Sequence, residues 1–142
     1  MHRLRGQCHC GDLSVELELT AELSSYGPRE CDCDFCRRHG AAWLSDRNGS
    51  MRVSVRGTMD NAWYRQGSGT AEFLVCRQCG VVVGAFYRDG QRLIGVANVR
   101  ALDDAAALGP RQPVSPKTLT AAQKNERWRM LWFQRVVINT PA

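Results

Sequence analysis

Residues 13–19 read Leu-Ser-Val-Glu-Leu-Glu-Leu, with apolar and polar side chains in strict alternation. A period of two puts one set of side chains on each face of an extended chain, so this segment is predicted to be a half-buried strand. Residues 51–56, Met-Arg-Val-Ser-Val-Arg, repeat the pattern, and further β-rich runs lie at 62–65, 71–75, 81–87 and 92–99. Turn-forming clusters punctuate them at Asp46–Ser50, Gly67–Gly69 and Asp89-Gly90. The last sits between two apolar runs and signals a hairpin. Short strands with frequent turns predict a mainly β, mostly antiparallel architecture, and a Rossmann-type alternation of strands and long helices is excluded. Residues 102–108 have room for one or two helical turns before Gly109–Pro113 breaks the chain. Beyond Pro116, the spacing of Leu119, Ala122, Trp128, Leu131, Trp132 and Val136 predicts a C-terminal helix from about 118 into the 120s. The stretch Trp128–Phe133 is very apolar for a terminus. Either it packs on the sheet or it forms an oligomer surface or a pocket wall.

The chain has 142 residues, the length of one domain, 1–142. At 44% hydrophobic and 23% charged residues it has the composition of a folded globular protein rather than a disordered one. No apolar run approaches the roughly 18 residues of a membrane span. The opening Met-His-Arg-Leu-Arg-Gly carries charge but no apolar stretch of a secretory signal, so a cytoplasmic location is expected.

Seven cysteines change this picture. An odd number cannot pair fully into disulfides, and a reducing compartment would keep them as thiols. They are clustered as Cys8-x-Cys10, Cys31-x-Cys33-x-x-Cys36 and Cys76-x-x-Cys79, spacings that suggest metal. Glycine follows both Cys10 and Cys79. A glycine there permits a tight turn that points backbone N–H groups at the sulfurs, so each pair resembles a metal knuckle. Together Cys8, Cys10, Cys76 and Cys79 supply the closed tetrahedral set of a structural zinc. Such a site would tie an early strand to a middle hairpin across 65 intervening residues.

Cys31, Cys33 and Cys36 remain, and three thiolates leave one zinc position open, as catalytic sites do. Arg37 and Arg38 follow directly and are candidates for meeting a substrate carboxylate. Two other arrangements stay open at this point. His39 would close the trio into a second structural site, or the cysteines would exchange partners between sites. His9, flanked by two ligands, is expected to point away. Asp32, Asp34 and His39 are candidates for a general base by adjacency alone. A zinc ion held by three thiolates carries one net negative charge and is a poor Lewis acid. It suits a soft fourth ligand, such as a substrate thiol, better than a hydrolytic water.

The charge balance taken alone favours an anionic partner, nucleic acid or a small carboxylate. Nineteen basic against fourteen acidic residues give +5, with seventeen arginines and only two lysines. Seven thiolates on two zinc ions would bring that to about +2. With no basic run longer than Arg37-Arg38, the case for nucleic acid is weak.

Gly6-Gln-Cys-His-Cys-Gly11 resembles the opening Gly-x-Cys-x-Cys-Gly of the glutathione-dependent formaldehyde-activating enzymes, a family that includes centromere protein V. Cys31-Asp-Cys-Asp-Phe-Cys-Arg-Arg38 resembles the family's Cys-x-Cys-x-x-Cys-Arg segment. Phe73-Leu-Val-Cys-Arg-Gln-Cys-Gly80 resembles its Phe-x-x-x-Cys-x-x-Cys-Gly segment, one residue shorter before the first cysteine, and Asn98–Asp103 is similar to an element near the end of the domain. Asp32 stands where the family often has histidine. The resemblance covers about 5–104 and leaves 110–142 as a C-terminal extension. It implies a β-tent of antiparallel sheets with two zinc ions, structural at Cys8, Cys10, Cys76 and Cys79 and catalytic at Cys31, Cys33 and Cys36. It implies a carbon–sulfur lyase acting on glutathione or another thiol and an aldehyde, of the S-hydroxymethylglutathione type. The tail after about 110 matches no family feature, and its apolar stretch leaves open an oligomer formed through the C-terminal tail. The alternative is a non-catalytic zinc module that binds protein or nucleic acid, with His39 as fourth ligand and Trp63 or Tyr64 exposed among arginines.

Overall fold

The alternating segments fold into two sheets, and the second is covered on both faces. The computed structural model describes residues 1–60 and 62–141. The first sheet has the order β1-β2-β5-β11, from β1 (His2–Gln7), β2 (Leu13–Leu19), β5 (Ser50–Val55) and β11 (Arg135–Asn139). Its alternation is realised residue by residue. Leu13, Val15, Leu17 and Leu19 of β2, with Met51, Val53 and Val55 of β5, all point inward and are buried.

The second sheet has the order β10-β3-β4-β9-β8-β7-β6. Its strands are β3 (Arg29–Cys31), β4 (Trp43–Leu44), β6 (Trp63–Arg65), β7 (Glu72–Val75), β8 (Val82–Asp89), β9 (Arg92–Asn98) and β10 (Gln112–Val114). Strands β8 and β9 form the hairpin signalled by Asp89-Gly90, with Asp89 paired to Arg92. Leu44, Leu74, Val83, Phe86 and Ala97 face the first sheet and join the main core. Trp43, Phe73, Val82, Ala85, Ile94 and Val96 belong to a second apolar cluster on the opposite face. Burial on both faces explains why 81–87 reads as one continuous apolar run instead of an alternating one.

Strand pairing is antiparallel throughout the first hundred residues. Both parallel pairings, β10 with β3 and β11 with β5, are made by the C-terminal segment. That segment also carries α2 (Ala121–Leu131), opened by a capping box in which Thr120 Oγ1 accepts from Gln123 N–H and Gln123 Oε1 accepts from Thr120 N–H. Phe133 then enters the main core between the sheets, fully buried, and exchanges two backbone hydrogen bonds with Gly95 at 2.8 and 3.1 Å. Phe133→Ala should cost about 3–5 kcal/mol, because it empties a ring-sized volume between two sheets that cannot collapse independently. Urea unfolding would read this as a lowered midpoint at unchanged slope. Among the described residues no helix is long and apolar enough to cross a membrane.

Candidate functional site

Two tight turns, 66 residues apart in sequence, bring the first cysteine group together. Cys8 and Cys10 lie in the turn from β1 to β2, and Cys76 and Cys79 in the turn from β7 to β8, just past a register shift at Leu74/Val75. Gly11 and Gly80 close these turns at φ 84° and 82°, a region that side chains rarely adopt, which is why glycine follows each knuckle. Cys8 Sγ is 3.7 Å from Cys10 Sγ, and Cys10 Sγ is 3.6 Å from Cys76 Sγ. A tetrahedral ion with 2.3 Å metal–sulfur bonds sets its sulfurs about 3.8 Å apart, so this spacing fits a metal and is far too long for a disulfide. All four sulfurs lie within 4.8 Å of one another. Backbone N–H groups reach them as the turns require, with Leu13 N–H donating to Cys8 Sγ at 3.3 Å.

The second group is local. Cys31 ends β3, and Cys33 caps α1 (Asp34–His39), its Sγ accepting from Cys36 N–H at 3.5 Å. One helical turn later, Cys36 falls on the same side. The three sulfurs lie within 4.8 Å of one another, and among the described residues no histidine or carboxylate joins them. The quartet and trio are therefore the two groups the structure brings together, and no cysteine exchanges partners. All seven are free thiols.

The sulfurs polarise one another. Hydrogen bonds from Cys31 and then Cys36 hold the Cys33 thiol down at about 2, while contact with Cys33 pushes Cys31 up and contact with Cys31, then Cys33, pushes Cys36 up. In the quartet, burial works against ionisation of Cys79, but N–H groups of Val81 and Cys10 outweigh it and bring the thiol down to about 6. Cys10 moves the other way, to about 12. The Asp12 N–H favours its thiolate, but burial and the neighbouring Cys76 and Cys8 sulfurs prevail. In each group the surroundings thus favour one sulfur as thiolate, the form that binds metal.

Trp43, which belongs to no motif, donates its indole N–H to Cys36 Sγ at 3.4 Å. The trio opens into a cavity of about 140 Å³ on the outer face of the second sheet. Trp43, Phe73, Ala85 and Val96 line it from the sheet, Gln66, Gly67 and Ser68 from the β6–β7 loop, and Val114, Pro116, Trp128 and Trp132 from the C-terminal segment. Trp128 and Trp132 stack at 4.9 Å between centroids, so this apolar stretch contributes a pocket wall.

The cationic lining is Arg29, Lys117, Lys124 and Arg127, which includes both lysines of the chain. Arg29 is half-buried beside Ser45, to whose hydroxyl it donates at 2.7 Å. Burial, then repulsion from Arg127, brings its guanidinium down to about 10, so it remains charged at neutral pH. Arg37 and Arg38 are elsewhere. Both are exposed on α1, neither lines the cavity, and Arg38 pairs with Asp34 at 3.1 Å. His39 is exposed and packs on the Phe35 ring at 4.5 Å instead of reaching the trio. Asp32 lies between two ligand positions, with Oδ2 accepting from Ser115 at 2.5 Å and 3.7 Å from Lys117 Nζ, and with a buried Oδ1 lacking a partner. Trp63 is half-buried edge-on against Phe86, and Tyr64 stacks on Phe35.

A family model described as glutathione-dependent formaldehyde-activating enzyme matches residues 3–117. The chain belongs to this family. Among solved structures, a crystal structure of a Rhodobacter sphaeroides protein from Northeast Structural Genomics is similar at 30% identity. The likeness covers 76% of this chain and 99% of that one, with a TM-score of 0.55. No curated protein matches the chain. The match to the formaldehyde-activating family contains all seven cysteines and ends before α2, so Lys124, Arg127, Trp128 and Trp132 line the cavity from beyond it.

Proposed function

We propose that this member of the formaldehyde-activating family joins a thiol, glutathione or a relative of it, to an aldehyde, as a carbon–sulfur lyase working in the synthetic direction. The observation that carries the reading is the trio of Cys31, Cys33 and Cys36, which among the described residues has no fourth protein donor and opens into a cavity. Family membership supports glutathione- and formaldehyde-related chemistry in general. The donor sets suit zinc at both groups: four thiolates close one ion, and three hold another with a position left for substrate. When bound at the trio, zinc supplies a soft site that keeps a substrate thiol in its nucleophilic form.

The reaction is redox-neutral. The C–S bond forms as sulfur attacks the carbonyl carbon, and the thiol proton ends on the carbonyl oxygen. The reverse reaction breaks the same bond. The chain's own residues position the reactants. Trp43 N–H fixes Cys36 Sγ and favours its thiolate form. Arg29, Lys124 and Arg127 face the cavity as anion partners, a role that Arg37 and Arg38, turned to solvent, are not placed to take. Seven unpaired thiols suit a reducing, cytoplasmic compartment.

A glutathione titration followed by zinc X-ray absorption tests the reading. The mean sulfur count per zinc should rise from about 3.5 to about 4 as the thiol enters the trio's open position. An unchanged count would overturn it.

A further inference from the structure

The cavity beside the trio is much larger than the smallest aldehyde needs. At about 140 Å³ it matches the roughly 150 Å³ apolar cavity that accepts benzene in a well-studied lysozyme variant. Formaldehyde, with two heavy atoms, would leave most of it to the body of the other reactant. Its walls are aromatic and flat: Trp43 and Phe73 on the sheet side, Trp132 stacked on Trp128 opposite. Its charge is one-sided. Among the described residues four cations line it and no carboxylate does. Among the described residues only Lys117 has an acidic partner, Asp32, while Arg29, Lys124 and Arg127 have none.

Three unpaired cations exceed what the metal centre neutralises. A zinc ion with three thiolates carries one negative charge, and a fourth thiolate makes it two. One positive charge is left over. Arg29 and Arg127 are like charges brought to one cavity, an arrangement that costs free energy unless an anion sits between them. Guanidinium pairs suit a carboxylate in particular, through parallel N–H donors.

We propose that one substrate of this site is a carboxylic acid with a ring-sized apolar body, its carboxylate held by Arg29 and Arg127 and its body between the aromatic walls. The wall that selects it comes from α2 and Trp132, beyond the family match. The proposal rests on the assignment of the trio as the reacting site and names the class of reactant that would meet it there.

Binding of 3-phenylpropanoate to the full-length, metal-loaded protein tests it, read by calorimetry and by the emission of the cavity tryptophans. Phenylpropanoate should bind saturably. The uncharged 3-phenylpropanamide and the short acid acetate should each bind at least about tenfold more weakly, as expected when a charge-assisted hydrogen bond or the apolar contact is lost. Arg127→Gln should weaken the acid about tenfold without moving the amide, and Arg47→Gln, at an exposed position outside the cavity, should change neither. Equal affinity for acid and amide, acetate binding as tightly as phenylpropanoate, or no binding by any probe would overturn it. If Arg127→Gln fails to fold, the three-ligand comparison on the unaltered chain decides alone. None of these readouts counts sulfurs on zinc. An acid that fails to bind while glutathione still enters the trio sinks this inference only, and an unchanged sulfur count with intact acid binding sinks the lyase reading only.

Discussion

Cys76→Ser is expected to leave the chain without a stable native fold at 25 °C. Cys76 is buried at 2% exposure, and its sulfur sits 3.6 Å from that of Cys10. The quartet is the point where the β1–β2 turn of the first sheet is tied to the β7–β8 turn of the second. Structural zinc sites contribute about 10–16 kcal/mol of apparent binding free energy, all of it coupled to folding, against a net stability of about 5–15 kcal/mol for a typical domain. Losing one thiolate of four removes enough of the first number to exhaust the second. The serine hydroxyl also leaves a buried polar group in place of a thiol suited to ligate metal. Loss of near-ultraviolet circular dichroism, with loss of zinc on dialysis, would show the expected result. A variant that melts within a few degrees of the parent would refute the structural role of the quartet.

The quartet was legible because its signals are local. Each pair is two or three residues apart and followed by a glycine whose positive φ the turn demands. The same locality made β2 and β5 readable, since alternation is visible wherever one face meets solvent and the other the core. Strands β3 and β4, at three and two residues, are too short to show any period. Strand β10 carries Pro113 and lies at a sheet edge, where a missing N–H is tolerated. Arg37 and Arg38, the expected candidates for a substrate carboxylate, do not line the cavity. They follow Cys36 in sequence, but consecutive residues on a helix do not share a face, and α1 turns both to solvent. The helix had a signal of its own: basic residues in a last turn followed by Gly40 at φ 59°. The cationic lining was hidden for the opposite reason. Arg29 is remote from Lys124 and Arg127 in sequence, and only the folding of α2 against the second sheet brings them to one cavity. On α2 itself, Trp128 and Leu131 were among the positions whose spacing predicted a helix, but Lys124 and Arg127 carried no sign of the cavity they line.

Cys33→Ala should abolish thiol–aldehyde addition above the uncatalysed rate and still leave a folded protein. The contrast with Cys76 follows from what each metal group spans. The trio's sulfurs come from residues 31–36, so a metal there closes a short loop and ties no distant parts of the chain together. The folding cost is limited to the cap. Cys33 Sγ accepts from Cys36 N–H at the start of a six-residue helix, an interaction worth about 0.5–2 kcal/mol. At about 2–4 °C per kcal/mol for a chain of this size, the melting temperature should fall by less than about 8 °C. Chemistry does not survive so cheaply. Cys33 is the sulfur whose thiolate its two neighbours favour, and without it two sulfurs remain, beside a cavity whose described lining has no carboxylate or histidine to replace the lost ligand. Zinc should fall from about two to about one per chain, with the remaining ion in four-sulfur coordination. Retained activity at one zinc per chain would move the reaction away from the trio. Retention of two zinc ions by the alanine variant would mean that a donor other than these three cysteines holds the second.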